Sequence, residues 1–256
     1  MILALDIGNT HITVGGLDEE RLYFLARITT VREKTEYEYG IDLKNLLELH
    51  GYTVADIDGT VLSSVVPPLT HAMTRALKIL TGKSPVVVGP GVRSGLNILL
   101  DNPAQLGADL VVAAVAALSA YEPPLIIFDL GTATTVSVVD RKKNFLGGLI
   151  FPGVLVGLDA LFSRTSQLPH IALDPPEHVI GSNTVDSMKS GAVFGNAAMV
   201  DGLINRIEDE LGEGATVIAT GGVAPRIIPH CRRPGIILDE NLLLTGLLQV
   251  YRKNAK

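Results

Sequence analysis

The stretch Met1–Leu17, M-I-L-A-L-D-I-G-N-T-H-I-T-V-G-G-L, decides how the rest of the chain is interpreted. It opens with an apolar run, Ile2–Leu5, which is too short to span a membrane and suits a buried strand. Asp6 ends that run, the turn formers Gly8–Thr10 follow, and an alternating pattern then predicts a returning strand. We therefore expect a strand, a tight turn and a second strand, with a carboxylate at the mouth of the turn.

A turn of this composition can hold a phosphate group. Gly8 lets the backbone approach a ligand closely, while Asn9 and Thr10 offer hydrogen-bond donors. A phosphate can bind at such a turn, with Asp6 holding Mg²⁺ directly or through water. An ordinary hairpin with an acidic residue at its end has the same pattern, and this segment alone does not separate the two interpretations.

A second copy of the pattern favours the phosphate interpretation. The segment Leu125–Val139 reads L-I-I-F-D-L-G-T-A-T-T-V-S-V-V, so Asp6–Thr10 recurs as Asp129–Ala133, 123 residues later. Both copies have an apolar strand before the Asp and an alternating strand after the Gly. The offset is about half of the chain, which predicts two similar halves. Two facing turns of this kind are what a nucleoside triphosphate with Mg²⁺ requires.

The composition excludes several classes of function. Hydrophobic residues make up 47% of the 256 residues, enough for a sizeable core, and the net charge of −6 argues against an extended nucleic-acid surface. Cys231 is the only cysteine, which excludes an intramolecular disulfide and a cysteine-based zinc site. The apolar start carries Asp6 and lacks a basic segment and a cleavage site, so no signal peptide is predicted. We expect a cytoplasmic protein that binds neither a membrane nor nucleic acid.

Outside the two turn segments, the hydrophobic periodicity alternates between that of a strand and that of a helix. Strands are predicted over 21–29, 58–66, 85–88, 145–150 and 216–219, and helices over 35–49, 69–80, 111–120, 154–162, 185–207 and 242–251. This alternation predicts an α/β fold with a mostly parallel sheet after the opening antiparallel strands. The boundary between the halves is expected just after the third helix, which gives domains 1–118 and 119–256.

Two further segments are candidates for the site. Asp109 follows Gly107-Ala108 and lies in the predicted first turn of a helix, where a carboxylate also serves simply to favour the helix dipole. Near the end of the chain a strand leads into Thr220-Gly221-Gly222. A strand that ends in two glycines can lie flat against an adenosine, because no side chain separates the backbone from the ligand.

The three pieces in this order resemble the actin-like ATPase and sugar-kinase superfamily. Within that superfamily, the chain is similar to the type III pantothenate kinases over essentially its whole length. The motifs that carry this likeness are Gly107-Ala108-Asp109, Phe128–Thr135, Gly148–Gly153, Leu168-Pro169, Gly181–Thr184, Ser187–Gly191 and Leu242–Leu247. Each motif is weak alone, whereas their combination in unbroken order is highly specific.

The resemblance implies both a fold and an activity. The fold is α/β, with two similar actin-like (ribonuclease H-like) domains that have mixed central sheets and hold the nucleotide in the cleft between them. The activity is ATP-dependent phosphorylation of the terminal hydroxyl of pantothenate, the first step of coenzyme A synthesis. The resemblance further implies a homodimer with the substrate pocket at the subunit interface, and a need for Mg²⁺ and a monovalent cation, K⁺ or NH₄⁺.

The resemblance also implies a role for each matching residue. Asp109 would be the general base for the pantothenate hydroxyl. Asp6 would position Mg²⁺, and Asp129 would help to hold the monovalent cation. The expected ATP- and phosphate-binding residues are Asp6, Gly8, Asn9, Thr10, Gly131, Thr132, Thr134, Gly221 and Gly222. The expected substrate-binding residues are Gly107, Ala108, Leu100 and Thr184, the last from the partner chain.

The chain departs from the family pattern at two positions. Leu110 stands where the family usually has an arginine, and Leu100 replaces a tyrosine that is often found there. Losing one charge-assisted hydrogen bond costs about 1.5–3 kcal/mol, or ten- to a hundredfold in affinity. Two alternatives therefore stay open: a non-catalytic nucleotide-binding homologue that acts through protein contacts, and a kinase for another small hydroxyl substrate.

Overall fold

The computed structural model describes residues 1–255 and has an α/β architecture, as the sequence predicts. The strands are β1 Ile2–Ile7, β2 His11–Leu17, β3 Leu22–Thr29, β4 Gly59–Ser64, β5 Val86–Val87, β6 Asn97–Ile98, β7 Leu125–Leu130, β8 Ala133–Val139, β9 Asn144–Pro152, β10 Thr216–Thr220 and β11 Ile237–Leu238. The α-helices are α1 Glu36–Leu49, α2 Pro67–Thr81, α3 Ala108–Ala120, α4 Val154–Arg164, α5 Thr184–Ser190, α6 Asn196–Leu211, α7 Ala224–Ile227 and α8 Leu242–Asn254. Over residues 1–255 we find no helix with the length and apolar character needed to cross a membrane.

The chain forms two compact units. Unit 1 contains Met1–Leu96, Asp101–Ser119 and the chain from Asn241 to the end of the described residues, and unit 2 contains Asn97–Leu100 and Ala120–Glu240. The main crossing, after Ser119, lies one residue from the division drawn at 118. The assignment of the C-terminal segment to the second domain was wrong, because α8 buries its apolar face in unit 1.

Sheet 1, in unit 1, has the strand order β3-β2-β1-β4-β5. Strands β1, β2 and β3 are antiparallel, whereas β4 and β5 run parallel to β1 and to each other. One face packs on α1 and α2 through Leu43 and Met73 among others. The other face packs on α3 and α8, where Val112 and Leu247 meet Ala4. Both faces of the sheet are thus covered, which explains the nearly continuous apolar run in β1.

Sheet 2, in unit 2, has the order β11-β10-β7-β8-β9-β6. Strands β7, β8 and β9 are antiparallel, and β10 runs parallel to β7. One hydrophobic cluster joins this sheet to α6 and α7, with Phe128, Val200 and Ile227 buried in it.

The predicted internal duplication is confirmed in detail. In both units the first strand pairs with the second over its whole length, from Ile2 with Leu17 and from Leu125 with Val139. A register shift interrupts the pairing with the third strand at the same place in both, next to Leu17 and next to Val139. The parallel neighbours also correspond, since Asp6 pairs with Ser63 and Asp129 pairs with Thr220.

The local elements follow their sequence signals closely where those signals are long. Helix α1 begins after Thr35, whose side chain forms a capping box with Glu38, as the S/T-x-x-E pattern favours. The helix predicted over 185–207 is α5 and α6 joined by a π-helical turn, Gly191–Gly195. Strands β6 and β11 were missed, because two residues are too few to show an alternating pattern.

Candidate active site

The first turn of unit 1 is held from behind by the segment that follows β3. The Gly8 N–H donates to the His11 carbonyl at 3.0 Å and closes the turn. Thr30 then fastens it twice: its N–H donates to the Thr10 carbonyl at 3.0 Å, and its Oγ1 donates to the Gly8 carbonyl at 2.7 Å. Asn9 and Thr10 are exposed at the tip. The turn is therefore fixed by its carbonyl groups, while its two polar residues face outward.

Asp6 lies at the end of β1, directly before this turn, and is partly buried. Burial raises the pKa of its carboxyl to about 6, a donated hydrogen bond from Ser63 Oγ opposes that shift, and the charge of Asp109 adds to it. The Ser63 hydroxyl is 2.5 Å from Asp6 Oδ1. Asp109 thus lies close enough to Asp6 in unit 1 to contribute to the raised pKa of Asp6, as a shared site requires.

Asp109 lies in the first turn of α3, as predicted. Burial raises its pKa, and a hydrogen bond from the Leu110 N–H, 2.9 Å from Oδ1, partly opposes the shift. A Cβ atom at Gly107 would lie 2.5 Å from Asp109 Oδ1, so the glycine leaves room for the carboxylate. The Leu110 N–H is one of the first amides of α3, so this contact orients the Asp109 carboxylate at the start of the helix.

The second turn, in unit 2, is one residue shorter than the first. The Gly131 N–H donates to the Ala133 carbonyl at 3.1 Å, two residues on rather than three. Thr132 is exposed at its tip, whereas Thr134 is only 1% exposed, and its Oγ1 has no hydrogen-bond partner in the described part of the chain. Of the two predicted threonines, only Thr132 therefore presents its side chain outward.

Two glycines pack closely against this second turn, so that its surroundings consist largely of backbone atoms. A Cβ atom at Gly153 would lie 2.2 Å from the Gly131 carbonyl oxygen. Gly221 has φ of +95°, and a Cβ there would lie 2.5 Å from Asp129 Oδ1 and 2.6 Å from Leu130 N. The Thr-Gly-Gly segment is thus packed directly on the predicted cation-binding carboxylate. Gly222, the next residue, is exposed.

A pocket of about 740 Å³ in unit 2 adjoins this turn through Gly153. It lies between the start of α4 and the stretch from Gly181 to Asn196, and Thr184 is one of its lining residues. Thr184 is exposed at the start of α5, where Asn183 caps the helix by accepting from the Asp186 N–H at 2.9 Å. One predicted substrate residue therefore lines a pocket of ligand size.

The remaining predicted substrate residues divide between the two units. Gly107 and Ala108 are beside Asp109 in unit 1, whereas Leu100 belongs to unit 2, where its Cδ2 packs near Gly147. Sequence reasoning missed Ser63, which lies inside the predicted strand 58–66, and Thr30, which directly follows the predicted strand 21–29. The polarity of these residues beside apolar strand residues was the available signal.

The carboxylate oxygens of the site suit a hard divalent ion that keeps most of its coordination positions for water and substrate. Among residues 1–255 no three His, Cys, Asp or Glu side chains cluster as metal ligands. Mg²⁺ is commonly held by only one or two carboxylates together with water and substrate phosphates. The partly buried Asp6 carboxylate, with Asp109 close by, fits that mode of binding.

The comparisons with known sequences agree on one family. The family model described as type III pantothenate kinase matches residues 2–206. A type III pantothenate kinase of an Exiguobacterium species is 44% identical over 256 residues, covering all of both chains. One from Exiguobacterium sibiricum is 46% identical over 254 residues, covering 99% of this chain and 100% of the relative.

Solved structures with low sequence identity share the fold. A protein described as a Baf family transcriptional activator from Campylobacter jejuni has a TM-score of 0.60 at 19% identity, with 98% of each chain covered. A ROK family glucokinase from Streptomyces griseus, solved with glucose and AMPPNP, has a TM-score of 0.53 at 14% identity, with 97% of each covered. These likenesses bear on the architecture alone and agree with the two-domain actin-like fold. From its matching sequence over the full length, the chain belongs to the type III pantothenate kinase family.

Proposed function

We propose that this chain transfers the γ-phosphoryl group of ATP to the terminal hydroxyl of pantothenate, giving 4'-phosphopantothenate, the first step of coenzyme A biosynthesis. The family supplies the acceptor's identity. The observation that carries the chemistry is that unit 1 holds two carboxylates, Asp6 at the end of β1 and Asp109 in the first turn of α3, and that burial raises the pKa of both. A proton acceptor and a metal-binding carboxylate are the two acidic groups that this reaction needs.

Asp109 acts as the general base in this proposal. A base is most effective when its pKa approaches the working pH, and the raised pKa of Asp109 moves it in that direction. It accepts the proton of the hydroxyl as the oxygen attacks phosphorus, while ADP leaves from the opposite side. The backbone contact to Leu110 and the space at Gly107 fix where its oxygens point.

The turn residues hold the nucleotide in this proposal. Gly8, Asn9 and Thr10 bind phosphate oxygens in unit 1, and Gly131 and Thr132 serve the nucleotide in unit 2, whereas the side chain of Thr134 is buried. Asp6 holds Mg²⁺, which supplies charge neutralisation of the phosphates when bound. Gly221 and Gly222 line the adenosine, which the close packing of Gly221 on Asp129 and Leu130 supports.

A monovalent cation, K⁺ or NH₄⁺, is assigned to Asp129. Its carboxylate lies beside the glycine backbone of Gly221 and near Gly131, and the Ala133 carbonyl oxygen also lies close to Gly131. We expect turnover to depend on the identity of the monovalent chloride salt. Replacing K⁺ by Na⁺ at constant ionic strength tests this assignment.

We further propose a cytoplasmic homodimer. Unit 2 exposes large apolar side chains on and around α4, several of them 40% exposed or more: Ile150, Leu155, Val156, Leu161, Phe162, Val179 and Ile180. Exposed large apolar side chains in this number are typical of a protein interface. Thr184 and the pocket lie beside it, consistent with a substrate contact from the partner chain. The cytoplasm is the compartment where the proposed phosphoryl donor, ATP, is available.

A coupled assay that follows ADP release from ATP, Mg²⁺, K⁺ and pantothenate tests the activity. The Asp109→Asn variant is expected to lose about 10²–10⁴-fold in kcat, since it cannot accept the proton. Asp209→Asn, at an exposed position of α6, is the matched control and should keep wild-type turnover. No turnover of pantothenate at millimolar concentration by the wild-type protein would contradict the proposal.

The presence of Leu110 motivates a second candidate function, in which the protein binds nucleotide without phosphorylating pantothenate. Helix α3 carries no Lys or Arg that could meet an acidic acceptor. ATP binding by calorimetry without turnover, together with a gain of pantothenate kinase activity in Leu110→Arg, would favour that candidate. A panel of small alcohols and sugars tests for another acceptor.

A further inference from the structure

A row of polar residues crosses sheet 1 at the level of Asp6. Asp6 pairs with Ser63 on β4 and with Thr13 on β2, and Thr13 pairs with Arg27 on β3. Residues that pair directly across neighbouring strands point to the same face of a sheet. Asp6 and Arg27 thus share a face, two strand spacings or about 10 Å apart, and Arg27 is exposed on the edge strand β3.

The same face carries Asp109. The neighbours of Arg27 along β3, Ala26 and Ile28, pack on the opposite side of the sheet with α1 and α2. Ala4, two residues before Asp6, packs instead with residues of α3, the helix that begins beside Asp109. Asp6, Asp109 and Arg27 therefore lie on one side of sheet 1.

Within the described residues, Arg27 is the one Lys or Arg on strands β1 to β4 and helix α3, and Arg32, which follows β3, is already bound to Asn9 at the tip of the first turn. Strands β1, β2 and β4, the first turn and α3 contain no Lys or Arg. Helix α8 carries Arg252 and Lys253, but the adjacent Tyr251 packs on Gly59, which lies at the other end of β4 from Ser63. Arg252 is moreover paired with Glu19.

The Arg27 guanidinium makes no hydrogen bond or ion pair within the described residues, in contrast to Arg32, which donates to Asn9 Oδ1 at 3.0 Å. Burial disfavours the charged forms of Asp6 and Asp109 on this face, while Arg27 on the same face has no partner within the described residues. A fork of five donors suits an oxyanion that binds beside those carboxylates.

We propose that Arg27 binds an oxyanion of a substrate on the Asp6 side of sheet 1, either the carboxylate of the acceptor or a phosphate oxygen of the nucleotide. This inference rests on the proposed function for the identity of the acceptor. It assigns Arg27 a binding role in addition to the residues already discussed.

The test compares Arg27→Gln and Arg27→Lys with Arg21→Gln, which changes the same residue type at the other end of β3, where Arg21 lies over the Tyr23 ring. KM and kcat are measured for ATP and for pantothenate. Calorimetric Kd values for Mg-ATP and for pantothenate are measured in parallel. Thermal unfolding of each variant checks that it folds.

Arg27→Gln is expected to raise KM and Kd of one anionic substrate by about ten- to a hundredfold, with kcat changed much less. Arg27→Lys should recover part of the loss, because it keeps the charge without the planar fork. Arg21→Gln should stay within twofold of wild type.

An acceptor in which a CH₂OH group replaces the carboxylate of pantothenate separates the two sources of the oxyanion. If Arg27 binds the acceptor, the difference between wild type and Arg27→Gln disappears with this analogue. If it binds phosphate, the difference persists and the constants for ATP rise. Constants within twofold of wild type for both substrates would overturn the proposal. Should the wild-type protein bind no pantothenate, the proposed function fails, and the ATP titration alone decides the role of Arg27.

Discussion

Asp6, the carboxylate that we propose holds Mg²⁺, is expected to lower the stability of the ligand-free protein. Its pKa in the folded state is about 6, above the ordinary 3.8, mainly because burial disfavours the charged form. Between these two values the folded chain binds more protons at this position than the unfolded chain. The free energy of unfolding therefore falls as pH rises through this window, and the cost is fully present above pH 6.

Asp6→Asn is accordingly expected to stabilise the ligand-free protein at pH 7.5 by about 1–3 kcal/mol, while reducing its binding of Mg-ATP. The gain should shrink as pH falls toward 4, where the wild-type carboxyl is neutral in the folded state and begins to take up its proton in the unfolded state. Urea unfolding at several pH values measures the effect. A gain that stays constant between pH 4 and 7.5 would contradict the assignment of the shift to this carboxyl.

At the scale of residues, the sequence allows us to predict a functional residue that interrupts a hydrophobic pattern or recurs in the same sequence context. Asp6 was found because it interrupts an apolar run, and Asp129 because it recurs in the same context. Ser63 was missed although it donates directly to Asp6. Its partnership depends on a parallel pairing between strands more than fifty residues apart in sequence, and no local pattern encodes that register.

At the scale of elements, the two turns differ more than their sequences indicate. The sequence aligns Asp6–Thr10 with Asp129–Ala133 residue by residue, but the second turn closes on Ala133, one residue earlier than the first. Two glycines fill the space beside it. The shorter turn explains why Gly153 and Gly221 approach its backbone so closely that no Cβ would fit.

Gly221→Ala is expected to destabilise unit 2 and weaken ATP binding. Its φ of +95° is costly for alanine, and the added methyl would overlap Asp129 and Leu130. We expect a loss of about 1–3 kcal/mol in the free energy of unfolding.

Gly202→Ala is the matched control, because this glycine lies within α6 with open space around it. It should be neutral or stabilise by up to about 1 kcal/mol. Chemical denaturation and ATP titration of both variants measure the difference, and equal stabilities would contradict the close packing at the second turn.

At the scale of the whole molecule, the sequence predicted two similar halves and the crossing near residue 119. It did not predict that α8 returns to unit 1. The apolar stripe of α8 predicts that one face of the helix is buried, but it does not indicate which sheet covers that face. Gly15, against which Leu244 packs, did not predict this contact either, because a glycine in a strand can serve several purposes, such as a bulge or the close approach of another group.

The proposed dimer makes a prediction at this scale. Phe162→Asp places a charge on the exposed apolar face of α4 and should convert the protein from twice its 27.2 kDa chain mass to a monomer. Leu49→Asp, at an 85% exposed position of α1, is the control and should leave the mass unchanged. Sedimentation equilibrium measures both, and a monomeric wild-type protein would contradict the proposal.

The return of α8 also bears on the order in which the protein matures on the ribosome. The hairpin that carries Asp6 is translated more than two hundred residues before Leu244, Leu247 and Val250, which close one face of its sheet. Unit 2 is complete in the sequence before those residues exist. The turn at Gly8–Thr10 therefore gains the full support of its sheet only after the segments of unit 2 have been translated, so unit 1 is completed after unit 2 has been made.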